Sequence, residues 1–223
     1  MALTLRGESA GLRRPVGEMT MMRMIKLAVP ATALLLAACM PNPVRVIEPV
    51  SAEIRGASHV ADVAVAVSPL AADTMERFEA KARENRAEAG LPPVPPGGLA
   101  ARPSRDEYAT LPFAQMMELV VEDVTREQGL QSGRPLRLEI EIDTLKTANA
   151  AMAILAASND QLAGTVRVLD AASGERLGEF YVDVINSHSG LLGLAMRGGG
   201  IREELAQEFS LHIARQLRAG DRR

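Results

Sequence analysis

The residues with the types and order for nucleophilic chemistry lie in one short stretch, Ser187-His188-Ser189. A serine nucleophile needs a general base within hydrogen-bond reach, and His188 is the obvious base for either serine. The surrounding residues lack the first glycine of the Gly-x-Ser-x-Gly elbow. Adjacent side chains at a strand end also point apart. We therefore expect no enzyme activity, and a cell-envelope hydrolase using Ser187 or Ser189 with His188 is the alternative.

The residue spacing also argues against a phosphate-binding loop and against a histidine metal site. Segment 193–200 has the four-residue gap of a phosphate-binding loop, but two glycines stand where that loop requires Lys and Ser or Thr. The histidines are scattered, without the i, i+4 spacing of a metal site on a helix. We therefore predict no metal and no cofactor. The three histidines are His59, His188 and His212.

The composition argues against nucleic-acid binding. The 223 residues include 25 Lys and Arg against 28 Asp and Glu, a formal net charge of −3. A nucleic-acid module needs a basic surface, and bases also stack on aromatic side chains. This chain has four Phe, two Tyr and no Trp. Its single cysteine excludes an intramolecular disulfide framework.

That cysteine, Cys39, comes directly after an apolar run over residues 27–38. The run itself follows Arg23 and Lys26. The run is too short for a stable transmembrane helix, which needs about 20 residues. A positive start, a short apolar stretch and small residues before the cut are typical of a secretory signal peptide. We therefore predict an upstream leader and signal peptide over residues 1–38.

The four residues Leu36, Ala37, Ala38 and Cys39 resemble the lipobox of bacterial lipoproteins, an apolar residue and two small residues before a cysteine. The resemblance implies cleavage by the lipoprotein signal peptidase and acyl chains such as palmitate on Cys39. Each buried methylene contributes about 0.8 kcal/mol, so two or more chains give stable anchoring. Met40 follows instead of Asp, which in some bacteria favours the outer membrane. We expect the mature chain to be anchored to a bilayer and to face the periplasm.

The mature chain divides into a tether and one domain. Residues 39–57 carry three prolines and are predicted to be an extended, lipidated tether. An edge strand is the alternative for Val44, Val46 and Ile47. Residues 58–220 are predicted to form a single α/β domain. A loop over residues 91–103, dense in Pro and Gly, interrupts it.

Hydrophobic periodicity predicts the elements of this domain. Leu136, Leu138, Ile140 and Ile142 alternate with polar residues, as in a strand that has one buried face. Glu139, Glu141 and Asp143 lie on the other face, where we expect solvated carboxylates and no metal site. The predicted fold class is α+β, a mainly antiparallel sheet of about four strands covered by two to three helices. Strands are expected at 60–67, 136–143, 162–170 and 176–186, and helices at 70–88, 112–128 and 201–218.

The hairpin sequence from Leu162 to Asp170, with Ser173-Gly174-Glu175 after it, resembles small lipoproteins of Gram-negative envelopes. Such families include penicillin-binding-protein activators and transporter auxiliary lipoproteins. The resemblance implies a non-catalytic binding or assembly module whose partner is another envelope protein or a polymer. A passive spacer is the other alternative. Clustered apolar residues often mark interfaces, so the predicted partner contact is Leu191, Leu192, Leu194 and Met196.

Overall fold

Five strands and three α-helices make up the part of the chain that the computed structural model describes, residues 42–96, 98–147, 160–186 and 200–218. Short 3₁₀ helices, Pro69–Ala71 and Arg105–Thr110, precede the first two α-helices. The strands are β1 (Val44–Glu48), β2 (Ser58–Val67), β3 (Arg134–Lys146), β4 (Asp160–Asp170) and β5 (Arg176–Asn186). The α-helices are α1 (Ala72–Glu88), α2 (Phe113–Glu127) and α3 (Ile201–Leu217).

The five strands form one mixed sheet in the order β1-β5-β4-β3-β2. Strands β3, β4, β5 and β1 pair antiparallel, whereas β2 pairs parallel to β3. The parallel pair follows from the connection between β2 and β3, because that connection contains α1 and α2 and returns the chain to the same end of the sheet. The predicted α+β class is confirmed, with five strands in the sheet.

One face of the sheet forms the hydrophobic core together with the helices. The alternation predicted for β3 is confirmed, since Leu136, Leu138, Ile140 and Ile142 are all buried. Strands β4 and β5 continue the same layer through Val166, Val168, Phe180, Val182 and Val184. The helix stripes that cover this layer are also buried, through Phe113, Met116, Met117 and Val121 of α2 and Leu205, Phe209, Ile213 and Leu217 of α3.

A 3₁₀ helix leads into α1, and a glycine follows the end of α1. The Ser68 hydroxyl accepts a hydrogen bond from the Leu70 N–H, and Pro69 is the first residue of the 3₁₀ helix. At the other end Gly90 has a φ of 69°, which glycine adopts without the steric cost that a Cβ imposes. The Leu91 N–H then donates to the Arg86 carbonyl, and the chain turns back along the helix.

Residues 44–48 are a strand of the sheet, so the tether predicted over residues 39–57 is wrong in this part. Strand β1 pairs with β5, with Val44 opposite Val182, and the Val44 side chain is 6% exposed. The flanking prolines are compatible with the edge position, where the Pro43 carbonyl accepts a hydrogen bond from the Asp183 N–H. The compact unit therefore begins at Pro43 and not at residue 58.

The turn between β4 and β5 is built around Asp170. Its carboxylate accepts hydrogen bonds from the backbone N–H groups of Ala172 and Ser173 and from Arg134 Nε at 2.7 Å. These contacts, the Arg134 hydrogen bond first, lower the pKa of Asp170 far below its ordinary value. The predicted hairpin is confirmed, with its loop at residues 171–175.

Candidate functional site

The site residues predicted from the sequence lie outside the described residues and remain predictions. They are the lipobox residues Leu36, Ala37, Ala38 and Cys39, the residues Ser187, His188 and Ser189, and the apolar residues Leu191, Leu192, Leu194 and Met196. Of the described helices, none reaches the combination of length and apolar content that crossing a bilayer demands.

The acidic row of β3 lies on the face of the sheet opposite the core, where arginines pair with it. Arg137 Nη2 lies 3.6 Å from Glu139, and Arg167 Nη2 lies 3.1 Å from Glu141. The third acid, Asp143, accepts a hydrogen bond from the Tyr181 hydroxyl at 2.9 Å. In the described part of the chain no three His, Cys, Asp or Glu residues come together as a metal site would require. The three carboxylates therefore contact side chains of the sheet, Glu139 one within β3, Glu141 one on β4 and Asp143 one on β5.

A second charged cluster surrounds Asp123 on α2, which is 6% exposed. Tyr108 donates its hydroxyl to Asp123 at 2.8 Å, and Arg102 and Arg105 approach the carboxylate at 2.7 and 3.2 Å. Burial alone would raise the pKa of Asp123, but the Tyr108 hydrogen bond and the two arginines lower it overall. The cluster fixes the segment before α2 against that helix.

The residues before α2 also take part in this cluster. Ser104 donates from both its N–H and its hydroxyl to the Glu107 carboxylate, in the manner of a capping box. A 3₁₀ helix follows, so this signal begins a shorter element than an α-helix.

Arg202, at the start of α3, joins three parts of the fold although it is only 7% exposed. Its Nη1 donates to the Phe78 carbonyl at 3.2 Å, and its Nη2 donates to the Leu111 and Ala109 carbonyls at 3.2 and 3.4 Å. The guanidinium also lies 6.0 Å from the centre of the Phe78 ring. Arg202 thereby ties α3 to α1 and to the chain before α2.

A cavity of about 380 Å³ lies between α1, the proline-rich chain that follows it and the start of α2. We call it the Arg86 cavity. Its walls are mainly apolar, and the polar lining residues are Glu79, Arg83, Arg86 and Thr110. The apolar lining residues are Ala82, Ala87, Leu91, Pro93, Val94 and Pro112. A volume near the lower end of the usual 300–1,000 Å³ range suits a small organic ligand.

Arg86 is 5% exposed, and its two partners among the described residues are neutral. Nε donates to the Pro92 carbonyl and Nη1 donates to the Thr110 hydroxyl at 3.1 Å. No carboxylate of the described residues lies within 4.0 Å of this guanidinium. Glu79, which also lines the cavity, accepts a hydrogen bond from the Phe113 N–H at 2.8 Å and so caps α2. The geometry can therefore hold an apolar group that has an anionic end.

Sequence reasoning did not find this cavity. Arg86 lies on a polar helix, where an arginine usually faces solvent, and residues 91–103 read as a surface loop. The one available signal was the pair of prolines after Gly90, which forces the chain to leave the helix abruptly. The described parts of that loop contain no helix or strand, as predicted, but they fold back over Arg86.

Comparison with known proteins gives matches only among solved structures. No protein-family model and no curated protein matches the chain. The chain is similar to the PelC dodecamer from Paraburkholderia phytofirmans, with 12% identity and a TM-score of 0.40 over 79% of this chain and 98% of that chain. It is similar to a DUF330 protein from Xanthomonas campestris, with 11% identity and a TM-score of 0.41 over 78% and 87%. A third structure, of a "putative lipoprotein" from Caulobacter crescentus CB15, has 17% identity and a TM-score of 0.29 over 45% and 80%.

Proposed function

We propose that this chain is a bacterial lipoprotein, held to a membrane through acylated Cys39, that serves as a non-catalytic binding or assembly module of the cell envelope. The observation that carries the proposal is the lipobox, residues 36–39, which ends four positions before the compact unit begins at Pro43. The body faces the periplasm, and the absence of Asp after Cys39 favours the outer membrane.

The apolar residues proposed as a partner contact follow β5 in the sequence. Leu191, Leu192, Leu194 and Met196 form an apolar cluster in the sequence, and such clusters often mark interfaces. The cluster supports a role in an envelope assembly, with another envelope protein or a polymer as the partner.

The non-catalytic part of the proposal is supported by how the described charged groups are used. Glu141 pairs with Arg167, Asp123 pairs with Arg102, and Asp170 pairs with Arg134. Two of these pairs join β3 to β4, and the Asp123 pair joins α2 to the chain before it, which is a structural use of charge. In the Arg86 cavity the Thr110 hydroxyl donates to the Glu107 carbonyl, so it is not poised as a nucleophile.

Acyl labelling in cells tests the anchoring. Cells given an alkyne-tagged palmitate should label the wild-type chain, because the acylated residue is Cys39. The variant Cys39→Ser should carry no label, and Met40→Ala is the matched control, since it changes the neighbouring residue and keeps the thiol. A wild-type chain without label, or a Cys39→Ser chain that retains it, would overturn the proposal.

A further inference from the structure

We infer that the Arg86 cavity binds a monocarboxylate that carries an apolar chain. The carboxylate meets the Arg86 guanidinium, and the apolar chain lies against the alanine, leucine, valine and proline side chains of the walls. The inference rests on the proposed function, because it names a ligand class for the binding module.

The first step of the argument is the charge of Arg86. A buried cation is costly unless it has a partner of opposite charge, and the described partners of Arg86 are a carbonyl and a hydroxyl. Arg83, one turn away on the same helix, also lines the cavity and is exposed. Glu79 supplies one negative charge, which caps α2. The two arginines therefore leave the lining with an excess positive charge, which an anionic ligand would neutralise.

The second step concerns the N–H donors of Arg86 that make no hydrogen bond within the described residues. Pro92 and Thr110 engage Nε and Nη1 of Arg86, which fixes the plane of the guanidinium. Nη2 makes no hydrogen bond within the described residues. Arg86 lines the cavity, so a carboxylate inside the cavity can approach this guanidinium. A carboxylate oxygen there would receive a charge-assisted hydrogen bond.

The third step is the chemistry of the remaining walls. An inorganic anion such as phosphate would satisfy Arg86 but would leave the apolar walls in contact with water. A purely apolar ligand would cover those walls but would leave the buried charge of Arg86 without a partner of opposite sign. A carboxylate that ends an apolar chain satisfies both parts of the cavity at once.

Octanoate is the probe, and its binding is measured by isothermal titration calorimetry on the full chain in lipid nanodiscs, with empty nanodiscs as the blank. Two matched compounds have the same chain, octylammonium with the opposite charge and octan-1-ol without charge. We expect octanoate to bind with a dissociation constant of about 1 mM or below. Octylammonium should not bind, and octan-1-ol should bind at least about tenfold more weakly.

Two variants test the position of the ligand. Arg86→Gln should weaken octanoate binding about tenfold or more, because it removes the charged donor. Since this variant also changes contacts within the protein, Ala87→Leu is the second test. Ala87 is an exposed lining residue of α1, so leucine there fills the cavity with little effect on the fold. Ala80→Leu, an exposed position of α1 away from the cavity, is the matched control and should bind octanoate normally.

The outcomes separate the ligand site from the anchor. Octanoate binding that is equal in the wild-type chain and in Cys39→Ser supports the site whether or not the thiol is acylated. Equal binding of octanoate and octylammonium would overturn the inference, and so would binding that Ala87→Leu leaves unchanged. A short apolar peptide with a free carboxyl end that binds where octanoate does not would overturn it in favour of a protein partner.

Discussion

Arg202→Met should lower the free energy of unfolding by about 3–5 kcal/mol. Arg202 is buried where α3 meets α1, and its guanidinium donates to three backbone carbonyls, those of Phe78, Ala109 and Leu111. A hydrogen bond from a charged donor contributes about 1.5–3 kcal/mol. The two bonds at 3.2 Å together therefore account for the expected loss. The methionine side chain retains much of the apolar contact, so the change reports the lost hydrogen bonds and the lost ion pair with Glu203 at 3.4 Å.

The assay is urea unfolding of the full chain, followed by far-ultraviolet circular dichroism. Arg218→Met is the matched control, because Arg218 is exposed and its partners among the described residues are the Gln128 side chain, at 2.9 Å, and the Ala214 carbonyl, through its backbone. We expect that control to change stability by less than about 0.5 kcal/mol. The stability loss of Arg202→Lys should lie between those of Arg202→Met and Arg218→Met. One ammonium group cannot replace the planar guanidinium, which reaches carbonyls on both sides. A loss below about 1 kcal/mol for Arg202→Met would refute the assigned role.

Two further predictions concern acid stability and the partner contact. The pKa of Asp123 is lowered in the folded chain and lies near 3.9 in the unfolded chain, so its contribution to stability is complete above about pH 5 and is lost as the pH falls below 4. In urea unfolding, the free energy of unfolding of Asp123→Asn should therefore fall less between pH 5 and pH 3 than that of the wild-type chain. An equal fall in both chains would contradict the stabilising role assigned to ionised Asp123. Leu192→Asp should remove the main partner captured by crosslinking in intact cells while the circular dichroism spectrum stays unchanged. An unchanged set of captured partners would exclude Leu192 from the contact.

The elements that local patterns determine were predictable from the sequence. Strand β3 shows strict alternation, and α2 shows a continuous apolar stripe, because each buries a single face against one large neighbour. The loop after β4 was predictable because Asp170 and Gly174 satisfy the geometry of a tight turn locally.

Strand β1 required tertiary information. Its sequence is short and lies between prolines, which locally favours an extended tether. Its partner β5 begins more than a hundred residues later, and that pairing makes residues 44–48 a strand. The parallel pairing of β2 and β3 was likewise not visible in either strand alone.

The two buried arginines were missed for a related reason. Arg86 and Arg202 lie on helices whose neighbouring residues are polar, so periodicity assigns both to solvent. Each is buried because chain from elsewhere supplies backbone carbonyls, from Pro92 for one and from Leu111 for the other. No local pattern encodes a carbonyl that arrives from another segment.

The most direct test of the central claim is the intact mass of the native chain purified from the membrane fraction of its own cells. The proposed anchoring predicts a chain that begins at Cys39 and carries the added mass of a lipid on that residue. A chain that retains residues 1–38 and has an unmodified thiol would contradict it.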